Sequence, residues 1–283
     1  MKIIVRSIIS LILTILGVCI FNSIYIGRFN LHMDKATIIF AIFLFILFMV
    51  LFVLIKHLIL RKFYKELAHY KKEAEKNPND AWVYNNWGLI CYKLGQVVKS
   101  IKWIELAISK YKKAIELDPQ IYEAYYNWGV ALFEMGKIEK KKEMFEEALK
   151  KYEQAAEINP NDPDIYINSG AVLGMLGDIE DNVERYKDAI GKFKMAVNLN
   201  PGDPDIFLNW GRALNKIGDY ENDEENYKEA IDKLKEVLRL EPDNKIAQFL
   251  MNAILTKLSK GDVNYKMLER STTLKSKIIK IKK

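Results

Sequence analysis

Apolar residues along most of this chain recur at spacings of three and four, the period of a helix with one buried face, and they do so twice in every 41 residues. In the first such stretch the stripe is Tyr84, Trp87, Ile90, Cys91 and Leu94, and Gly95 predicts a left-handed helix end. The second stripe is Ile101, Ile104, Ile108, Tyr111 and Ile115. It must stop just before Pro119, because the residue preceding a proline is driven out of helical geometry. Asp162-Pro163 and Asp203-Pro204 predict the starts of later helices, with aspartate accepting from free N–H groups and proline at the first position, where no N–H is needed.

The spacing extends well beyond the apolar stripes. Pro78, Pro119, Pro160, Pro201 and Pro242 stand 41 residues apart, as do Gly88, Gly129, Gly170 and Gly211, then Gly95, Gly136, Gly177 and Gly218, then Asn86, Asn127, Asn168 and Asn209. Ala107, Ala148, Ala189 and Ala230 follow the same interval, and Trp87, Trp128 and Trp210 follow it with Ser169 in the third place. A fixed period means one unit stacked on copies of itself. The predicted fold class is therefore all-α, an α-solenoid of four antiparallel helix pairs at 79–119, 120–160, 161–201 and 202–242. A mid-helix glycine costs about 1 kcal/mol relative to alanine. Its recurrence at Gly88, Gly129, Gly170 and Gly211 predicts a close approach of paired helices, with the alanine series facing it.

Tyr84-Asn85-Asn86-Trp87-Gly88, Tyr92-Lys93-Leu94-Gly95, then Ala107, Tyr111, Ala114 and Leu117-Asp118-Pro119 resemble the tetratricopeptide repeat family in the order of aromatic, glycine, alanine and proline positions. The family unit is about 34 residues. Here seven more lie between the Gly95-type and Ala107-type positions, expected to lengthen the second helix by about two turns without rotating its stripe, since seven residues fall only some 20° short of two turns. The resemblance implies a concave groove, lined by the first helices, that binds an extended peptide or a partner helix. The matching positions are Trp82, Asn85, Leu89, Tyr92 and Lys93; Glu123, Tyr126, Val130, Phe133 and Glu134; Asp164, Ile167, Ala171, Gly174 and Met175; and Asp205, Leu208, Arg212, Asn215 and Lys216. Trp82, Tyr92, Tyr126 and Phe133 suit an apolar segment, and Arg212 and Lys216 suit a carboxylate. The lysine and asparagine set with which relatives clamp a chaperone carboxylate is absent.

The first 76 residues differ in kind. Residues 7–27 and 36–55 carry no charge, and each run is long enough at 1.5 Å per residue to span about 30 Å of hydrocarbon. Only eight residues join them, so a two-span hairpin is expected. Lys2, Arg6, Lys56, Arg61, Lys62 and Lys65 flank its outer ends against Arg28 and Lys35 in the loop, which places the repeats on the cytoplasmic side of a cell membrane. Residues 56–78 read as a basic helical stalk. Leu60, Phe63, Leu67, Tyr70 and Ala74 form its stripe, and it is expected to cap the array against the helix containing Trp82. No glycine or proline linker intervenes, so a flexible tether is not expected. At the other end, residues 243–261 read as a closing helix with Ile246, Phe249, Leu250, Ala253, Ile254 and Leu258 inward.

Charge divides the chain. Between Glu73 and Asp262 there are 26 basic and 34 acidic residues, and elsewhere 17 basic and 3 acidic. The tail, residues 262–283, carries Lys266, Arg270, Lys275, Lys277, Lys280, Lys282 and Lys283, suited to solvent, to anionic lipid, or to a partner or the acidic fourth unit. An acidic array argues against nucleic acid. The histidines, His32, His57 and His69, lie outside the repeats, and Cys19 and Cys91 sit in unrelated apolar settings, so neither a metal site, a cofactor nor an enzyme is expected. No phosphate loop or nucleophile elbow occurs. Two readings of function stand: a membrane-anchored scaffold or adaptor that binds a protein or peptide partner through its groove, and a regulator or assembly factor of bacterial envelope biogenesis.

Overall fold

The computed structural model describes residues 35–260; the first apolar run and the basic tail lie outside the described residues. The chain divides after Lys65 into two compact units. In the first, the described residues belong to helix α1 (Lys35–Lys76), which holds the second apolar run. Its large apolar side chains are exposed, Phe43, Leu51 and Val53 among them. Among the described residues one stretch, Phe43–Lys76, is long and apolar enough to cross a membrane.

The second unit is a row of helix pairs: α2 (Ala81–Val98) with α3 (Ile101–Leu117), α4 (Tyr122–Glu139) with α5 (Lys142–Ile158), α6 (Pro163–Glu180) with α7 (Val183–Leu199), and α8 (Pro204–Glu221) with α9 (Glu224–Leu240). A closing helix, α10 (Lys245–Lys260), completes it. First helices start at residues 81, 122, 163 and 204, which is the sequence period. Asp80, Asp162 and Asp203 accept the first free N–H groups of α2, α6 and α8, and Pro163 and Pro204 fill first-turn positions. Second helices end two residues before each proline.

The core lies inside and between the pairs. Each second helix buries a ladder: Ile104, Ala107, Tyr111 and Ala114 in α3; Phe145, Ala148, Tyr152 and Ala155 in α5; Tyr186, Ala189, Phe193 and Ala196 in α7. A Cβ on Gly88 would lie 2.5 Å from the Tyr111 ring, on Gly129 2.7 Å from Tyr152, and on Gly170 2.4 Å from Phe193. The close approach predicted from the glycines is therefore real, but rings rather than the alanine methyls fill the gap. Of the alanines, Ala107 and Ala230 bring only a carbonyl oxygen near a glycine.

Gly95, Gly136, Gly177 and Gly218 do not end their helices. Each first helix runs three residues further and closes on a left-handed residue that is not glycine: Lys99, Lys140, Asp181 and Asn222, with φ between 51° and 56°. The glycines are there for space, since a Cβ on Gly95 would meet Ile104 at 2.8 Å and on Gly177 would meet Tyr186 at 2.8 Å. The carbonyls of Gly95, Gly136 and Gly177 accept the closing N–H bonds, as from Ser100 to Gly95 at 2.9 Å. The seven additional residues are thus shared between both helices of the hairpin, and the second helices do not project alone. The lengthened tips carry ion pairs within and between units: Glu180 takes Lys142 of the preceding unit's α5 at 2.9 Å and Arg185 of its own unit's α7 at 2.8 Å, and Lys187 reaches Glu221 of the next unit at 2.9 Å.

At the ends of the array, Leu67 of α1 packs with the cluster of Cys91, Ile104, Ala107 and Tyr111, and Ala74 is buried, while Trp82 stays 48% exposed. Helix α10 buries Ala247, Met251, Ile254, Leu255 and Leu258. Two residues expected to face inward do not: Ile246 is 52% and Phe249 76% exposed. The inward face is rotated by about one residue from the expected one, because Met251 and Leu255 fit against the preceding pair.

Candidate functional site

The first helices α2, α4, α6 and α8 touch one another in sequence, and α10 starts 41 residues after α8 and continues the row. The residues expected to line a groove fall into three groups on this face. Trp82, Lys93 and Arg212 are exposed, while Leu89, Tyr92, Tyr126, Val130, Phe133, Ile167, Met175 and Lys216 are half-buried. Asn85, Leu208 and Asn215 are buried, and the two asparagines bond to the next first helix. Asn127 donates through Nδ2 to Asn85 Oδ1 at 3.0 Å, and Lys257 donates to Asn215 Oδ1 at 3.1 Å. Between them, Asn168 Nδ2 donates to the Tyr126 hydroxyl at 2.9 Å. Each bond crosses from one unit to the next.

Charge on the face is also largely committed. Lys216, expected to hold a carboxylate from a partner, pairs with Asp178 at 2.6 Å, and Lys257 pairs with Asp219 at 2.5 Å. Of the two cations assigned to a carboxylate, Arg212 alone has no ion pair among the described residues.

The first two units carry aromatic character. Phe133 meets Phe145 edge to face at 5.7 Å, with the Lys137 ammonium 4.8 Å above its ring. Tyr126 lies 5.9 Å from Tyr152. The Tyr152 ring slides beneath Gly129 and brings its hydroxyl among Tyr92, Tyr126 and Glu134; burial first, then these neighbours, pushes its pKa well up. Tyr92 is raised for the same reasons, by burial and then by Glu134 and Tyr126. All stay neutral hydroxyls at physiological pH. The hydroxyls of Tyr111 and Tyr152 are buried without a protein partner. Cys91 is raised to about 11 by burial, so its thiol is a packing group and not a nucleophile.

The tryptophans belong elsewhere. Lys110 lies 4.0 Å over Trp87, Lys151 4.1 Å over Trp128 and Lys233 4.0 Å over Trp210, and the preceding unit adds Lys112 over Trp128 and Lys194 over Trp210. These cation–π stacks clamp first to second helices and join neighbouring units. In the third unit Ser169 is buried and donates to the Ile165 carbonyl instead.

Residues 104–136 and 136–177 match the family model described as TPR repeat. Residues 104–177 are TPR repeats. No curated protein matches the chain. Among solved structures, the TPR array is similar to the crystal structure of MamA, with 23% identity, a TM-score of 0.50, and cover of 64% of this chain and 89% of that one. It is also similar to TTC0263, a thermophilic TPR protein in Thermus thermophilus, with 18% identity, a TM-score of 0.51, and cover of 71% and 95%. At these identities the likeness concerns the fold of the TPR array and not its ligand.

Sequence reasoning missed one row of the TPR face. Ile246, Phe249, Ala253, Thr256 and Lys257 of α10 stand 41 residues after Asp205, Leu208, Arg212, Asn215 and Lys216. The period, continued past Pro242, is the signal that finds them.

Proposed function

We propose that this protein is a membrane-anchored TPR scaffold that holds a protein partner on the face formed by its first helices, with the repeats in the cytoplasm. The observation that carries the reading is the division of labour within the array. Second helices and the Trp87, Trp128 and Trp210 series are consumed by packing, whereas Trp82, Tyr92 and Phe133 remain partly open on one face of the first two units. Open aromatic side chains on a rigid surface are the usual anchors of a protein interface. Anchoring is supported by the exposed apolar side chains of Phe43–Lys76, which no protein surface covers among the described residues, and orientation by the excess of lysine and arginine outside the apolar runs. A first-helix face whose cations are mostly paired favours an apolar or basic partner segment over a free carboxylate.

A photoreactive side chain at Trp82 or Phe133 of the full chain in native membranes tests this. One dominant protein adduct is the expected result; adducts to lipid alone would remove the scaffold reading. Single cysteines placed in the repeats are expected to react only when a reagent reaches the cytoplasm, and labelling from outside would overturn the orientation.

A further inference from the structure

The far end of the first-helix face combines unneutralised acid with uncovered apolar surface. Asp162 and Asp203 cap α6 and α8, Asp164 and Asp205 follow two residues later, and Glu241 stands just before α10. None of the five has an ion pair among the described residues. Burial first, then neighbouring charges, holds the Asp164 and Asp205 carboxyls above their usual range; those charges are Asp162 and Asp203 for the one, Asp203 and Glu241 for the other, with Arg212 opposing at Asp205. One row over lie Ile246 and Phe249. Leu208, the equivalent of Phe249 in the preceding pair, is buried, whereas no further first helix covers α10 among the described residues, and Phe249 is left 76% exposed.

The chain itself carries the complement. Residues 275–283 read Lys-Ser-Lys-Ile-Ile-Lys-Ile-Lys-Lys, with five lysines, three isoleucines and no carboxylate. They follow α10 by 14 residues, 261–274, which span up to roughly 46 Å when extended. The return along α10 from its last turn to Phe249 is shorter than the whole helix, about 24 Å for 16 residues. A tethered segment that can reach its site sees it at an effective concentration of about millimolar, an advantage that a free basic partner lacks.

We propose that residues 275–283 dock on the α10 end of the first-helix face of their own chain, isoleucines on Ile246 and Phe249, lysines at Asp164, Asp205 and Glu241. The proposal shares the face with the scaffold reading but does not depend on its partner. A probe at Trp82, at the opposite end of the row, reports on the partner, and a probe at position 249 reports on the tail.

The test places a photoreactive phenylalanine at position 249 of the full chain, in nanodiscs containing phosphatidylglycerol, with isotope-labelled and unlabelled chains mixed equally. The expected adducts join position 249 to residues 275–283 of the same chain. Reversing three charges, Lys277→Glu, Lys280→Glu and Lys282→Glu, reduces them about tenfold or more, as placing like charges opposite one another should. Asp205→Lys does the same, while the triple variant, which leaves the described array untouched, guards against a folding effect. Adducts between labelled and unlabelled chains would assign the surface to a second copy. Adducts to phosphatidylglycerol would assign the surface around Phe249 to the bilayer. Either result, or no adduct at all, overturns the proposal.

Discussion

Single atoms decide how tightly each helix hairpin closes. A methyl group on Gly88, Gly129 or Gly170 would overlap a ring that is itself fully buried, at 2.5, 2.7 and 2.4 Å, so neither partner can move aside cheaply. The fourth copy differs, because Gly211 faces Leu234 at 3.2 Å, and a leucine can shift by a few tenths of an ångström. Overpacking of this kind costs about 1–3 kcal/mol, while alanine regains about 1 kcal/mol of helix propensity. Alanine at positions 88, 129 and 170 is therefore expected to destabilise the array by up to about 2 kcal/mol each, and Gly211→Ala to be close to neutral or stabilising. Thermal unfolding of the four single variants checks the order; equal losses at all four sites would show that ring contact is not what selects glycine.

Between elements, the lengthened hairpin tips act as fasteners, and Glu180 shows how. It sits at the end of α6, hydrogen-bonds to Arg185 of α7 first and Lys142 of α5 second, and these partners hold its carboxyl down at about 2 from an ordinary 4.5. A carboxyl lowered on folding stabilises at pH above its unfolded value and loses that contribution as protons reach the folded one. Glu180→Gln should therefore destabilise the array at pH 7, by about 1 kcal/mol at most since both cations are partly solvated, which a lowered melting temperature reads. The gap between variant and parent should close as the pH falls from about 4.5 to 2. A gap that persists at pH 2 would mean that Glu180 acts through packing. This pairing was not legible in the sequence. The period showed that seven residues were added, yet it could not divide them between two helices, because Gly95 has the look of a helix end. What keeps Gly95 inside the helix is the ring or branched side chain across from it, a tertiary contact that helix signals do not carry. The helix starts, by contrast, were legible because Asp162-Pro163 and Asp203-Pro204 act locally.

At the scale of the whole array, stability is a sum over neighbours, since each pair touches only the next, and the last interface sets where unfolding begins. Continuing the 41-residue period past Pro242 shows α10 to be a fifth first helix, with no second one among the described residues. That explains both its exposed Phe249 and the way in which the expected inward face missed Met251 and Leu255. Ile254 is fully buried against the last pair. Truncating it to alanine should cost about 2–5 kcal/mol, as for other closely packed core isoleucines. Because the cluster containing Ile254 runs from α6 to α10 but does not include Ile104 or Tyr111, the loss should not be shared evenly. Amide exchange in Ile254→Ala is expected to quicken through α8, α9 and α10 and to remain close to the parent in α2 and α3. Uniformly faster exchange would show instead that the TPR array unfolds as one block, with no graded nearest-neighbour coupling along its length.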